Sequence, residues 1–377
     1  DMVTNIHAAR MNFLAPHHQQ AISVRPSFSL WDFMTSTPVS DIVVGAPSLA
    51  PLLGLVEKDM ERVNATIIER MQSDVPLIPQ LAGHLVAAGG KRMRPMMSIA
   101  GAMMATATPD ERGPAILLAT AVEFIHSATL LHDDVIDESN LRRGRDTANA
   151  LWGNDAAVLV GDFLFARAFE LMVEADNISV LGRLAAASAK ITEGEVRQMT
   201  ITGNPDTPVD DYLDVIAGKT AVLFAAAAGA GAEVSGGSPD KVAAMYDYGL
   251  QLGMAFQITD DALDYSADAA AMGKNAGDDF ADQKITLPTI IAWQDGDDDE
   301  RAFWQRTLGE ARFAKDDLAT AQAMLAKHDA IDRSILRASG FAEAACAAVA
   351  PFADDPATAD LAAALCDAAR FAAMRTS

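Results

Sequence analysis

The chain has 377 residues, half of them hydrophobic, and a formal net charge of −23. This composition is typical of a globular protein and argues against a disordered or disulfide-stapled one. The excess of 52 acidic over 29 basic residues also argues against a nucleic-acid partner, because a phosphate backbone is bound by a basic surface.

Residues 1–45 mix proline, histidine and serine with hydrophobic residues that follow no steady period. We interpret them as a mobile N-terminal extension. From Ser48 to Met71, hydrophobic residues recur at helical spacing behind a serine that can cap a helix. We therefore predict that a single folded domain covers residues 46–377.

Two groups of basic residues stand out in so acidic a chain. They consist of Lys91, Arg92 and Arg94, which follow a pair of glycines, and of Arg142, Arg143 and Arg145. Guanidinium groups bind phosphate oxygens through two parallel hydrogen bonds. Either group alone is more typical of an ordinary surface patch, but both together in this chain favour polyphosphate binding.

The spacing Asp-Asp-x-x-Asp occurs four times, beginning at Asp133, Asp210, Asp260 and Asp278. The copy at Asp210 follows a proline that can start a helix, where the helix dipole favours acidic residues. The copy at Asp278 lies near two glycines, in or just after a loop. We interpret both of these copies as solvated acids without a ligand.

The other two copies follow helical runs that are almost free of charge. In each copy the first and last aspartates lie one helical turn apart on the same face, so that they repel each other unless a cation binds between them. Mg²⁺ prefers carboxylate oxygens and often bridges to phosphates. The alternative interpretation of these two copies is an exposed acidic face that binds no metal. The predicted metal ligands are Asp133, Asp134, Asp137, Asp260, Asp261 and Asp264.

The remainder of the chain alternates apolar windows of helical period with short breakers, and it is rich in alanine. Such a composition favours helices. We predict an all-α fold, a large single-domain helical bundle around a central cavity, with the chemistry between facing helices. The least polar stretch, residues 220–232, is shorter than the ~20 residues that span a bilayer, so no transmembrane segment is expected.

The two cysteines, Cys346 and Cys366, both lie in alanine-rich helical sequence. We interpret them as small core residues that form no disulfide, which favours a reducing compartment and a cytoplasmic protein.

Sequence motifs for nucleophilic catalysis or for a phosphate-binding loop are absent from the chain. The paired acidic and basic groups favour ionisation of a carbon–oxygen bond. Cations would take up the charge of a departing diphosphate, and an apolar cavity would keep water from the carbocation.

The chain resembles the trans-isoprenyl diphosphate synthase (polyprenyl synthetase) family over about residues 50–375, and most of all its octaprenyl and decaprenyl members. The motifs that carry the resemblance are, in order, GGKRMRP, LLHDDVIDESNLRRGR, GDFLFARAF, GKTA, GMAFQITDDALDY and GKNAGDDFADQKITLP. The resemblance implies an all-α homodimer that joins isopentenyl diphosphate to an allylic prenyl diphosphate with Mg²⁺ as cofactor. The octaprenyl and decaprenyl members make long products, and a product of this kind would serve ubiquinone side chains. We therefore also expect a transient membrane contact while the product is released.

The resemblance also assigns roles to individual residues. The implied catalytic residues are Lys219, Asp133, Asp137 and Asp260. Arg142 would contact the allylic diphosphate, and Arg143 the isopentenyl diphosphate. Lys91, Arg94 and His126 would complete the pocket for isopentenyl diphosphate. The allylic group would be surrounded by Lys219, Thr220, Gln257 and Lys274.

Two further features bear on this resemblance. The sequence Asp282-Gln283-Lys284 departs from the Glu-Gly-Lys that the family usually shows. Short-chain members carry an aromatic residue four or five positions before the first aspartate, where Thr129 and Ala128 stand here; this predicts a deep cavity and a long product. The alternatives are a farnesyl or geranylgeranyl synthase, a non-catalytic subunit of a heteromeric synthase, and a class I terpene cyclase.

Overall fold

A computed structural model describes residues 46–87, 91–142, 144–265 and 277–375. In these ranges sixteen α-helices account for most of the regular structure. Helices α1 to α8 span Ala50–Arg70, Leu77–Ala87, Met93–Met104, Gly113–Ile136, Ala148–Trp152, Asn154–Glu174, Ile178–Ile201 and Val209–Ile216. Helices α9 to α16 span Val222–Val234, Pro239–Asp264, Asp278–Ala281, Leu287–Asp295, Asp298–Trp304, Asp317–Lys327, Ala330–Val349 and Ala359–Met374.

Short non-α elements interrupt this pattern at a few places. A π-helical turn, Ala217–Ala221, joins α8 to α9, and a second one, Gln305–Gly309, follows α13. Strands β1 (Leu141–Arg142) and β2 (Arg145–Asp146) form an antiparallel hairpin. The fold class is thus all-α, as the sequence predicts. The predicted extension, residues 1–45, lies outside the described residues.

Helix α10 lies at the centre of the bundle. It packs against α9 and α15 along much of their length and also contacts the first π-helical turn and α16. Gly249 on α10 and Gly231 on α9 permit backbone contact between neighbours, because a Cβ atom at either glycine would collide with the carbonyl of Phe224 or of Ser98. The π-helical turn that precedes α9 is packed as closely, because a Cβ atom at Gly253 would collide with Ala221.

The first helix illustrates how the periodicity produces the fold. Along α1, the buried residues recur every three or four positions and give it one apolar face: Leu52, Val56, Asp59, Met60, Val63 and Ile67. This face packs on α3 and α4. The single buried acid on it, Asp59, accepts hydrogen bonds from Arg62 and Arg112, so its charge is compensated. The prediction of a helix beginning near Ser48 is confirmed.

Three helical segments are long and apolar enough to cross a membrane by length and composition. They are Gly113–Ile136, Val209–Val234 and Ala330–Phe352, whose most apolar windows are 72%, 83% and 28% buried within the protein. The first two segments therefore use their hydrophobicity in the core. Residues 220–232 belong to a continuous segment of 26 residues, longer than the sequence analysis assumed, and the absence of a transmembrane segment stays a prediction.

The expectation of two unpaired cysteines was wrong. Cys346 on α15 and Cys366 on α16 form a disulfide, with Cα atoms 4.8 Å apart. The two helices approach closely because alanines such as Ala342 and Ala369 occupy their buried faces. The inference of a reducing compartment loses the support that unpaired cysteines gave it.

Candidate active site

The two predicted aspartate motifs lie at the ends of two long helices. On α4, Asp133 and Asp134 belong to the last turn and Asp137 follows the final residue. On α10, the second motif occupies the last two turns and ends at Asp264. Both helices bring apolar residues into the core before they reach these carboxylates, as the uncharged runs in the sequence indicate.

A lysine from the segment after α11 links the first motif to the second. Lys284 Nζ donates a hydrogen bond to Asp137 Oδ2 at 3.0 Å. Burial lowers the pKa of Lys284, but the carboxylates of Asp279 and Asp137 outweigh it and the pKa is raised. The backbone N–H of Asp279 in turn donates to Asp264 Oδ2 at 3.1 Å. Lys284 and Asp279 therefore lie between the two aspartate helices, which share one region of the protein.

The interpretation of the copy at Asp278 as a solvated loop was wrong for Asp279. The copy begins the short helix α11, and the charge of the half-buried Asp279 raises the pKa of Asp261 in the second motif and of Lys284. The copy at Asp210 does open a helix, since Asp210 and Asp211 occupy the first turn of α8.

Asp133 carries a perturbed pKa. Burial is the main cause and raises the pKa to about 7, the charge of Lys219 opposes that rise, and the nearby carboxylates of Glu195 and Asp137 add to it. Lys219 lies on the π-helical turn between α8 and α9. Its Nζ donates to Glu195 Oε2 at 2.8 Å and to Gln198 Oε1 at 2.7 Å. The predicted catalytic lysine therefore lies beside the first motif.

Three other predicted site residues form a hydrogen-bonded chain. Thr220 Oγ1 donates to Gln257 Oε1 at 2.9 Å, and Gln257 Nε2 donates to Asp261 Oδ1 at 2.7 Å. Burial, and then the carboxylate of Asp279, raise the pKa of Asp261 to about 7. The π-helical turn is thus connected directly to the second aspartate motif.

In the first basic group, Lys91 is exposed and Arg94 is half-buried. Arg94 Nη1 lies 3.0 Å from His126 Nε2, and its guanidinium is centred 4.5 Å from the ring of Phe224. The ammonium of Lys91 lies 5.2 Å from the ring centre of Phe371. Burial and the charge of Arg375 lower the pKa of Lys91, whereas the carboxylate of Asp260 acts to raise it. The structure brings Arg94 and His126 together, and Asp260 is near Lys91.

The second basic group is described only in part. The guanidinium of Arg142, on β1, donates from Nε and Nη2 to Asp134 Oδ1 at 3.0 and 2.8 Å. The hairpin formed by β1 and β2 holds this arginine beside the first aspartate motif. Arg143 and Lys274 lie outside the described residues.

The donor chemistry of the two motifs fits a divalent cation. Hard carboxylate oxygens project from both helix ends, and the raised pKa values of Asp133 and Asp261 show that burial disfavours two of these negative charges. A bound cation would favour their ionised forms. In the part of the chain that the structure describes, no three histidine, cysteine or carboxylate groups gather around one point, so the ligand set itself stays a prediction.

Several of the carboxylates instead contact cationic side chains of the protein. Asp134 is paired with Arg142, Asp137 with Lys284, and Asp260 with Arg375. A divalent ion that binds these oxygens would have to displace or share these partners.

Several residues of this region carry no signal in the sequence that would predict their place here. Arg375 follows α16, and its Nη2 lies 3.1 Å from Asp260 Oδ1; no motif marks it. Glu195 and Gln198 lie three residues apart on α7, a spacing that places both on one helix face. Tyr212 donates from its hydroxyl to Asp261 Oδ2 at 2.6 Å, although it belongs to the acidic copy that was interpreted as a helix start.

The two residues at the positions where short-chain family members carry an aromatic ring, Ala128 and Thr129, have small side chains. Ala128 is buried on α4, and Thr129 turns its hydroxyl back to the carbonyl of His126 at 2.8 Å. Neither position holds an aromatic side chain, as a deep cavity requires. The deep cavity itself stays a prediction.

Comparison with known proteins identifies the family. A family model of polyprenyl synthetases matches residues 75–325. The octaprenyl diphosphate synthase of Haemophilus influenzae is 43% identical over 304 residues, which cover 80% of this chain and 91% of that protein.

Two crystal structures share the fold. The polyprenyl synthase of Caulobacter crescentus CB15, complexed with calcium and isoprenyl diphosphate, has a TM-score of 0.84 and 47% identity, over 89% of this chain and 100% of that one. A decaprenyl diphosphate synthase of Rhodobacter capsulatus has a TM-score of 0.81 and 46% identity, over 88% and 100% of the two chains. These sequence and structural matches show that the chain belongs to the polyprenyl synthetase family.

Proposed function

We propose that the protein is a prenyltransferase that condenses isopentenyl diphosphate with an allylic prenyl diphosphate into a long-chain all-trans polyprenyl diphosphate of octaprenyl to decaprenyl length. The observation that carries this proposal is the pair of aspartate-bearing helix ends linked through Lys284 and Asp279. Octaprenyl and decaprenyl diphosphate synthases among the relatives support the product class. A product of this length would supply quinone side chains.

The predicted ligands fit Mg²⁺ as the divalent cation. The set is Asp133, Asp134, Asp137, Asp260, Asp261 and Asp264. Bound there, Mg²⁺ would supply Lewis-acid stabilisation of negative charge on a diphosphate. The calcium in the Caulobacter structure supports a divalent cation in this family.

The chain's own cations would hold the two substrates at different places. Lys219 and Arg142 lie beside the first aspartate motif, where they would bind the allylic diphosphate and stabilise the charge that it gains as the carbon–oxygen bond breaks. Arg94 is in contact with His126, and together with Lys91 these two residues would bind isopentenyl diphosphate. The carbocation would form between the two sites, shielded from water by apolar helix faces.

The cavity beyond the first motif would accept the growing chain. The small side chains of Ala128 and Thr129 would leave room about one helical turn from Asp133, so that elongation would not stop at farnesyl length. Transient membrane contact during product release accords with the apolar character of such a product.

We further propose a homodimer that forms through α6 and α7. Exposed apolar residues recur along one face of α6, with Leu159 and Val173 exposed by 67% and 64%. On α7, Ile178, Val196 and Met199 are also exposed. A two-fold interface would bury these side chains against the same surface of a second copy.

The test is elongation by the purified chain alone. It is incubated with Mg²⁺, farnesyl diphosphate and labelled isopentenyl diphosphate, and the extracted products are sized by reversed-phase chromatography. We expect labelled all-trans products of octaprenyl to decaprenyl length, and none when a chelator is added. A cyclic hydrocarbon would favour a terpene cyclase, short products would favour a farnesyl or geranylgeranyl synthase, and absence of elongation would favour a subunit that needs a partner.

A further inference from the structure

Tyr212 contacts the second aspartate motif from a helix that carries none of the predicted site residues. It lies on α8, is 1% exposed, and its hydroxyl donates to Asp261 Oδ2 at 2.6 Å. Val215 and Ile216 share the buried side of this short helix. The aromatic ring is therefore fixed by packing, and the hydroxyl is the polar end of a side chain that has little freedom to move.

The hydrogen bond at Tyr212 runs from the phenol to the carboxylate, because the hydroxyl donates and the oxygen of Asp261 accepts. Tyr212 thereby ties Asp261 to α8.

The second oxygen of the same carboxylate is held in a similar way. Gln257 accepts a hydrogen bond from Thr220 through Oε1, which leaves its Nε2 to donate to Asp261 Oδ1. Each carboxylate oxygen thus receives one donor and retains lone pairs for a further partner. Metal-binding carboxylates are commonly oriented by such outer hydrogen bonds, and their loss weakens metal binding.

We propose that Tyr212 is a positioning residue that orients the Asp261 carboxylate for the divalent cation. This inference rests on the proposed function, because it takes Asp261 as a metal ligand. Tyr212 touches neither substrate in this arrangement and acts only through Asp261. The alternative is that the hydrogen bond merely satisfies a buried hydroxyl and stabilises the fold.

The chain offers a matched control for that alternative. Tyr248 is also a fully buried tyrosine, it lies on α10 itself, and its hydroxyl donates to the carbonyl of Leu365 at 2.8 Å. Tyr212→Phe and Tyr248→Phe each remove one buried hydroxyl and keep the ring. Both substitutions should lower the thermal midpoint by similar amounts, so stability alone does not distinguish a positioning role of Tyr212 from a purely structural one. Metal affinity does distinguish them.

The experiment measures Mn²⁺ binding by electron paramagnetic resonance, with one equivalent of the unreactive farnesyl S-thiolodiphosphate and without isopentenyl diphosphate. We expect Tyr212→Phe to weaken Mn²⁺ binding about tenfold and Tyr248→Phe to leave it within about twofold of the wild type. Replacement of Tyr212 by p-aminophenylalanine, which keeps a donor at the same place, should restore most of the affinity.

Asp261→Ala separates failure of this inference from failure of the proposed function. If Asp261→Ala weakens Mn²⁺ binding but Tyr212→Phe does not, the role of Tyr212 is overturned and the metal role of Asp261 stands. If Asp261→Ala leaves Mn²⁺ binding unchanged, the proposed metal role fails and the inference fails with it. If Tyr212→Phe does not fold, p-fluorophenylalanine at position 212, which fills the space of the hydroxyl without a donor, decides: affinity about tenfold weaker than that of the p-aminophenylalanine variant supports the role of the donor, and equal affinity contradicts it.

Discussion

Lys219 is the residue on which the proposed chemistry depends most directly. Its ammonium is held by Glu195 and Gln198 and opposes the rise in the pKa of Asp133. A half-buried cation in this position is already oriented before substrate binds, so it can stabilise new negative charge without reorganisation. The backbone that presents it is a π-helical turn, an irregularity that is frequent at functional sites.

Lys219→Gln should lower kcat for elongation about 10²-fold, because the charge on the departing diphosphate loses a fixed cation, while the KM for isopentenyl diphosphate should change little. Steady-state kinetics with farnesyl diphosphate measure both constants. Lys190→Gln is the control, since Lys190 forms a comparable ion pair with Glu193 at 2.6 Å on the surface of α7. Equal effects of the two substitutions would contradict a special role for Lys219.

We predict that Ala128, which is buried on α4, sets the depth of the cavity that accepts the growing chain. Ala128→Phe would place a ring one helical turn from Asp133 and should shift the products from octaprenyl–decaprenyl length to farnesyl–geranylgeranyl length. Product sizing by reversed-phase chromatography measures the shift. Ala344→Phe, at an exposed position of α15, controls for the added ring. An unchanged product distribution for Ala128→Phe would show that the growing chain does not pass this position.

A buried carboxylate, Glu300, joins the start of α13 to the end of α14. Glu300 closes a capping box with Asp297 at the start of α13. It also pairs with Lys327 Nζ at 2.8 Å and with His328 Nε2 at 2.9 Å, at the end of α14. Burial acts to raise the pKa of Glu300, but these two partners outweigh it and lower the pKa to about 2.

The lowered pKa of Glu300 makes its contribution to stability dependent on pH. A carboxylate with a folded-state pKa below its ordinary value stabilises the fold above the unfolded-state pKa of about 4.3, and that contribution disappears as the pH falls toward 2. Glu300→Gln should therefore lower the thermal midpoint by roughly 3 °C above pH 5, and the difference from wild type should vanish near pH 2. Glu310→Gln, at an exposed pair with Arg312, is the control and should show no such dependence.

The helices that carry the site could be predicted from sequence, whereas several of their partners could not. The apolar runs before Asp133 and Asp260 indicate two buried helices that end in carboxylates, and the structure confirms both. Tyr212 and Arg375 escaped prediction because their contacts with Asp261 and Asp260 depend on tertiary packing between distant segments. The pairing of Cys346 with Cys366 escaped for the same reason, since sequence shows alanine-rich faces but not which helices meet.

The exposed apolar side chains bear on how two copies of the whole molecule associate. A chain with a net charge of −23 repels its own copies, yet α6 and α7 expose several large hydrophobic side chains. Burial of these side chains at a two-fold interface would offset the repulsion. Leu336, which is exposed to a similar extent, lies on α15.

Leu159→Glu should therefore convert the dimer to a monomer, because it places a charge in the centre of the proposed interface. Light scattering coupled to size-exclusion chromatography measures the mass. Leu336→Glu is a matched control, since Leu336 is 66% exposed and Leu159 is 67% exposed. A monomeric wild type, or a dimer that survives Leu159→Glu, would exclude α6 as the interface.

A crystal structure of the protein with Mg²⁺ and farnesyl S-thiolodiphosphate tests directly whether the two aspartate motifs share one metal site. We expect metal ions between the diphosphate and carboxylates from both helices, with ligands from Asp133 or Asp137 on α4 and from Asp260 or Asp261 on α10. Metal held by one motif alone, or diphosphate bound away from Lys219, would contradict this expectation.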